Sequence, residues 1–226
     1  MLKNKNIIVR SAFLALGLCG NHVYGSADLT TPEEKLWDDV RCLWGSESGL
    51  QEELEDLTKR FRECGNYGYK NKKGRTFLYG ANCPEVLEFL ISLGTIDIDS
   101  QDNRGHTALH YHVGCTCDYL VQCDFYEESE SEMENKDART CSEIKVLIDG
   151  GANPFLRNLK GETPRKFLEN LRNYWRDEVP AEDKGGAPER RLSVLEKAIQ
   201  MLRDAERKWA AAHPEWMAAH PECVVE

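Results

Sequence analysis

This 226-residue sequence has no apolar run typical of a membrane span, the one within its first 27 residues being too short and too interrupted. It is also short of positive charge, with 29 Lys and Arg against 39 Asp and Glu, a formal net charge of −10. That deficit disfavours nonspecific attachment to nucleic acid or to an anionic membrane, since both need a basic footprint. The sequence lacks a Gly-x-Ser-x-Gly elbow, a phosphate-cradling Gly-rich loop, a His-Glu-x-x-His pair and a dinucleotide fingerprint. The adjacent acids Glu33/Glu34 and Glu52/Glu53 read as solvated helix surface. Neither catalysis nor a cofactor is expected. A content of 41% hydrophobic and 30% charged residues places the chain among globular proteins rather than disordered ones.

The first 27 residues have the three parts of a secretory signal. Lys3, Lys5 and Arg10 give a positive start, Ser11 to Gly20 a short apolar stretch, and Gly25, Ser26 and Ala27 a small-residue cleavage region. Export to the periplasm or outside is therefore expected. The mature chain would carry 26 basic and 39 acidic residues, a charge of −13. Cys19 is preceded by Leu18 where a lipoprotein signal requires a small residue, which argues against lipidation. Cysteine is plentiful, with nine in all. Loss of Cys19 would leave eight, a density that suggests disulfides in an oxidising compartment.

A short pattern, Asp/Asn-x-x-Gly-x-Thr, occurs three times: Asn71 to Thr76, Asp102 to Thr107 and Asn158 to Thr163. Each is expected to be a turn followed by a helix start. The Asn or Asp side chain can bond the backbone two residues on, Gly74, Gly105 and Gly161 can take positive φ, and Thr76, Thr107 and Thr163 can cap the next helix. A helical segment ending in glycine precedes each turn, at Gly65, Gly94 and Gly151. The gaps from helix-end glycine to turn glycine are nine, eleven and ten residues.

These residues resemble the ankyrin repeat, whose unit is a β-turn and two antiparallel helices. The likeness is carried by Gly105-His-Thr107-Ala-Leu109-His110, by Leu147-Ile-Asp-Gly-Gly151-Ala152-Asn153, and by Gly161-Glu-Thr163-Pro164. The copy at Gly74 departs from it, with Phe77 for Pro and Tyr79 for His. The likeness covers about residues 50–170. It implies an all-α fold, a short solenoid of antiparallel helix pairs with β-turn connections, and a monomer. The expected organisation is a signal peptide at 1–27, a repeat domain at 28–212 and a tail at 213–226. Within the domain come an N-terminal capping repeat at 31–73, a repeat at 74–104, a repeat with an inserted loop at 105–160, and a terminal repeat at 161–212.

The interval from Gly105 to Gly161 exceeds that from Gly74 to Gly105 by 25 residues, so the third unit carries an insertion at the tip between its helices. Cys115, Cys117, Cys123 and Cys141 fall at this tip, and one or two disulfides among them are expected to tie it down. Residues 124–137 are strongly acidic and expected to form a loop. Cys42 and Cys83 fall at the tips of the two preceding units, which makes a Cys42–Cys83 bridge a further candidate. A competing reading takes His110, His112, Cys115, Cys117 and Cys123 as metal ligands, but their spacing matches no zinc pattern, and the resemblance makes His110 a structural residue. At the C-terminus, Trp209-Ala-Ala-Ala-His-Pro-Glu215 is repeated as Trp216-Met-Ala-Ala-His-Pro-Glu222, either a neutral duplication or a docking motif.

The resemblance implies protein binding through the turn tips and the concave face. On this chain the tips hold Lys72, Lys73, Arg75, Asn103, Arg104, His106, Arg157, Leu159 and Lys160, a basic strip on an acidic protein. The expected partner is another protein with an acidic surface. An exported module acting at home and an effector delivered into a target cell are both consistent with these features.

Overall fold

The computed structural model of the protein describes residues 31–43, 50–114, 141–178 and 188–223. The expected signal peptide with Cys19, the insertion from Cys115 through Cys123 to residue 140, and the Gly185–Gly186 loop lie outside the described residues. Among the described residues the protein is all-α, without strands, and no helix is long and apolar enough to cross a membrane.

Helix α1 spans Pro32–Cys42 and starts where Thr31 Oγ1 accepts the Glu34 N–H at 3.2 Å, with Pro32 preset for the first turn. It buries Leu36 and Val40, four residues apart, against helix α2, Leu50–Cys64, which buries Leu57 and Phe61 at the same spacing. Arg60 joins the two helices through Asp39 at 2.5 Å. Phe61 then meets Phe77 edge to face, with ring centroids 4.8 Å apart, carrying the core into the second unit.

The second unit opens with a single 3-10 turn, Phe77–Tyr79, in place of a full first helix. Gly80 closes this turn, and Pro84 already begins helix α3, Pro84–Ser92, holding Cys83 extended before it. Helix α3 buries Val86, Leu87 and Leu90. The third unit pairs helical residues 108–114, helix α4, with 141–149, helix α5, which bury Ala108, Leu109, Val113, Ile144 and Leu147.

The fourth unit begins with helix α6, Pro164–Asn173, capped by Thr163 Oγ1 on the Lys166 N–H at 3.2 Å and extended by a π-turn, Tyr174–Glu178. It packs on helix α7, Pro188–Ala212, which buries Val194, Leu195, Ala198, Ile199 and Leu202. Arg165 bridges the pair, binding Glu206 at 2.8 Å and Glu169 at 2.9 Å. Burial pushes the Glu206 carboxyl up from its ordinary value, and Arg165 works against that shift. One apolar core runs without a break from Leu36 to Leu202.

The duplicated heptads fold as two copies of one device. Trp209 stacks on His213 and Trp216 on His220, with centroids 3.9 and 4.0 Å apart. In each copy the His Nδ1 lies 2.9 Å from the Trp carbonyl oxygen. Pro214 ends α7 and opens helix α8, Pro214–Ala219, so the two tryptophans turn toward each other and both reach Phe155 at 5.8 Å.

Candidate interaction surface

Three turns with one hydrogen-bond pattern line an edge of the protein. In each, the side-chain oxygen of the first residue accepts two backbone N–H groups. Asn71 Oδ1 takes those of Lys73 and Arg75, Asp102 Oδ1 those of Arg104 and His106, and Asn158 Oδ1 those of Lys160 and Glu162, all between 2.8 and 3.1 Å. The fourth residue is a glycine with φ of +76°, +73° and +76° at Gly74, Gly105 and Gly161. Only the left-handed region closes this turn, so a side chain there would be strained.

Successive turns are bonded to one another. Asn103 N donates to Lys73 O and Leu159 N to Arg104 O, each at 3.0 Å. Inside the stack a second series of bonds runs in the same direction. Tyr79 Oη lies 2.5 Å from His106 O and 2.7 Å from Ser100 O, and His110 Nε2 lies 3.0 Å from Glu162 O. Each ring thus reaches the carbonyl just after the next turn's glycine. His110 Nδ1 accepts from Thr107, and burial lowers the His110 pKa to about 4, so the ring is neutral.

The strip read from the sequence divides in two. Lys72, Lys73, Asn103, Arg104, Arg157, Leu159 and Lys160 are exposed. Arg75 and His106 are not; both are buried, which corrects their placement among the partner-facing residues. Each follows the turn glycine on the returning arm, where the side chain crosses toward the next unit. Arg75 Nε donates to Asp102 Oδ2 at 3.2 Å, and its guanidinium lies 4.5 Å from the Tyr111 ring centroid. His106 stacks beside His110 and Phe167. Arg75 still acts at a distance. Partial desolvation lowers the Lys73 pKa, and the charges of Arg75, Arg104 and Arg41 lower it further.

Cys42 carries a free thiol, as do Cys64 and Cys223, so the Cys42–Cys83 bridge is not formed. Cys83 and Cys141 are buried. The two histidines of the metal reading have both ring nitrogens engaged. His110 is held as described, and His112 lies 2.8 Å from Leu78 O through Nε2 and 3.1 Å from Glu143 Oε2 through Nδ1. Thr76 departs from the capping role expected of it: its hydroxyl is buried and has no hydrogen-bond partner. The sequence signal for the stacking bonds was the aromatic residue five positions after Gly74 and after Gly105, Tyr79 and His110, two chemically different rings with one reach.

No protein-family model matches this sequence, and no curated protein matches it.

Proposed function

We propose that this chain is an ankyrin-repeat protein whose turn tips bind another protein through an acidic surface on that partner. The observation that carries the reading is the hydrogen-bonded stack of turns, which holds Lys72, Lys73, Arg104 and Lys160 on one edge of a protein with net charge −10. The support is chemical: a backbone ladder presents cations on a rigid base, and charge concentrated against the molecule's overall sign steers an acidic partner to that edge. The protein acts by binding and not by catalysis, and the layout of residues 1–27 supports its delivery outside the cytoplasm.

The triple charge reversal of Lys73, Arg104 and Lys160 to Glu tests this. All three side chains are exposed, so the fold should survive with an unchanged Tm. Pull-down from the native cell, followed by mass spectrometry, should lose the partner captured by the wild type. Undiminished capture by the folded variant would overturn the reading.

A further inference from the structure

The stack of turns has a last member, and among the described residues its outer edge is open. Each internal rung is the same bond, from the N–H of a turn's second residue to the carbonyl of the preceding turn's third residue. The corresponding acceptor in the last turn is Lys160 O, and no N–H group of the described residues reaches it. The glycines report the same opening. A Cβ built on Gly74 would lie 2.5 Å from Asn103 Oδ1, and one on Gly105 would lie 2.8 Å from Leu159 N. A Cβ on Gly161, at the same backbone conformation, meets nothing within 4 Å. Beside this opening stands Leu159, 79% exposed, the one large hydrophobic side chain so exposed among the described residues. Arg157 is there too, its guanidinium held by Gly161 O at 2.8 Å and Glu222 O at 3.4 Å.

The geometry points to a binding site at the last turn that accepts a turn of a partner protein as a fourth rung. The occupant supplies a backbone N–H to Lys160 O, an apolar side chain over Leu159, and an Asp or Glu toward Lys160 and Arg157. The positions of the existing rungs set the first requirement, the exposed leucine the second, and the two cations the third. A second copy of this chain fits poorly, because its own first turn would bring Lys72 and Lys73 against Lys160. The site rests on the protein-binding reading above and makes it specific, locating the contact at one end of the strip and requiring backbone as well as charge.

The test uses the full chain, labelled with nitrogen-15, and two peptides. One is backbone-cyclised and presents the turn Asn-Asp-Glu-Gly after a valine; the other is linear and glutamate-rich. The turn peptide should shift amide resonances at 157–161 alone. N-methylation of its donating amide, or Leu159→Ser in the protein, should each weaken binding about tenfold, the loss expected for one hydrogen bond or one apolar contact. Shifts spread over residues 72–104 and indifferent to N-methylation would overturn the fourth rung and leave the basic strip standing. Shifts along the strip from the linear peptide alone would do the same. No shift from either peptide would overturn both readings.

Discussion

Tyr79 and His110 stand at the same place in successive units and reach the same carbonyl of the next, at His106 and Glu162. The rings differ in what they return to the chain behind them. The imidazole of His110 has a second nitrogen, and Thr107 bonds it at 2.9 Å while its Oγ1 lies 3.3 Å from the His110 N–H. A phenol has no such nitrogen, so the Thr76 hydroxyl is buried with nothing to bond. The same change of shape should therefore have opposite effects at the two sites. Thr76→Val removes an unsatisfied hydroxyl and should stabilise the fold by about 1 kcal/mol, whereas Thr107→Val takes two hydrogen bonds from His110, leaving its Nδ1 only the Thr107 N–H, and should cost about 1–3 kcal/mol. Chemical denaturation of the two variants checks this; equal losses would contradict it. Single atoms also account for the Asp at the head of the middle turn. Asp102 has a second oxygen to receive Arg75, while Asn158 uses an amide nitrogen in that place to donate to Glu162.

At the level of the element, the turn is the unit that repeats, and the helices adapt to it. The first helix of a unit shrinks to the 3-10 turn Phe77–Tyr79 in one case and lengthens to α6 with a π-turn in another, yet the three turns keep one pattern of bonds. The turn glycines have two separable reasons to be glycine. Positive φ strains any side chain by about 1–2 kcal/mol, and Gly105 and Gly161 share that cost. Of these two, only Gly105 has the next turn's backbone against it, because stacked turns approach where a Cβ would be. Gly105→Ala should thus cost clearly more than Gly161→Ala, which should lose only about 1–2 kcal/mol. Urea midpoints of both variants decide; equal losses would show that stacking adds no demand for glycine. The turns were legible in the sequence because their Asx, Gly and Thr positions obey local chemistry. The inward direction of Arg75 and His106 was not, because it depends on which unit lies next.

The whole molecule is coupled by groups buried between units, and pH reads that coupling. Burial lowers the pKa of His110 to about 4 and also depresses that of its neighbour His106. In the unfolded chain a histidine titrates near its ordinary value of about 6.5. Above that value both states are neutral and the full stability is present. As pH falls, the unfolded chain takes up protons that the folded chain resists, so stability declines until about pH 4. For His110 alone the gap corresponds to about 3 kcal/mol. Half-buried Asp99 and buried Glu206, whose pKa values are raised by desolvation, act in the opposite direction over part of this range. The informative quantity is therefore the difference between wild type and His110→Gln. The variant should be less stable at pH 7.5 and lose less on acidification to about pH 4, as read from Tm across that range. Parallel curves would refute the assignment.

Turn chemistry by itself determined three turns with positive-φ glycines and the helix start at Thr163-Pro164, and the ankyrin resemblance implied the all-α class that the described residues show. The turns and that helix start follow from forces acting over a few residues: φ limits and side-chain capping. The tertiary structure alone decided which residues of the basic strip face solvent, why Tyr79 can stand in for a histidine, and how the duplicated heptads turn back so that Trp209 and Trp216 meet Phe155. It also decided that, among the described residues, no N–H group bonds Lys160 O at the end of the stack. Those outcomes depend on contacts between residues far apart in the chain, whose partners become defined only when the units stack.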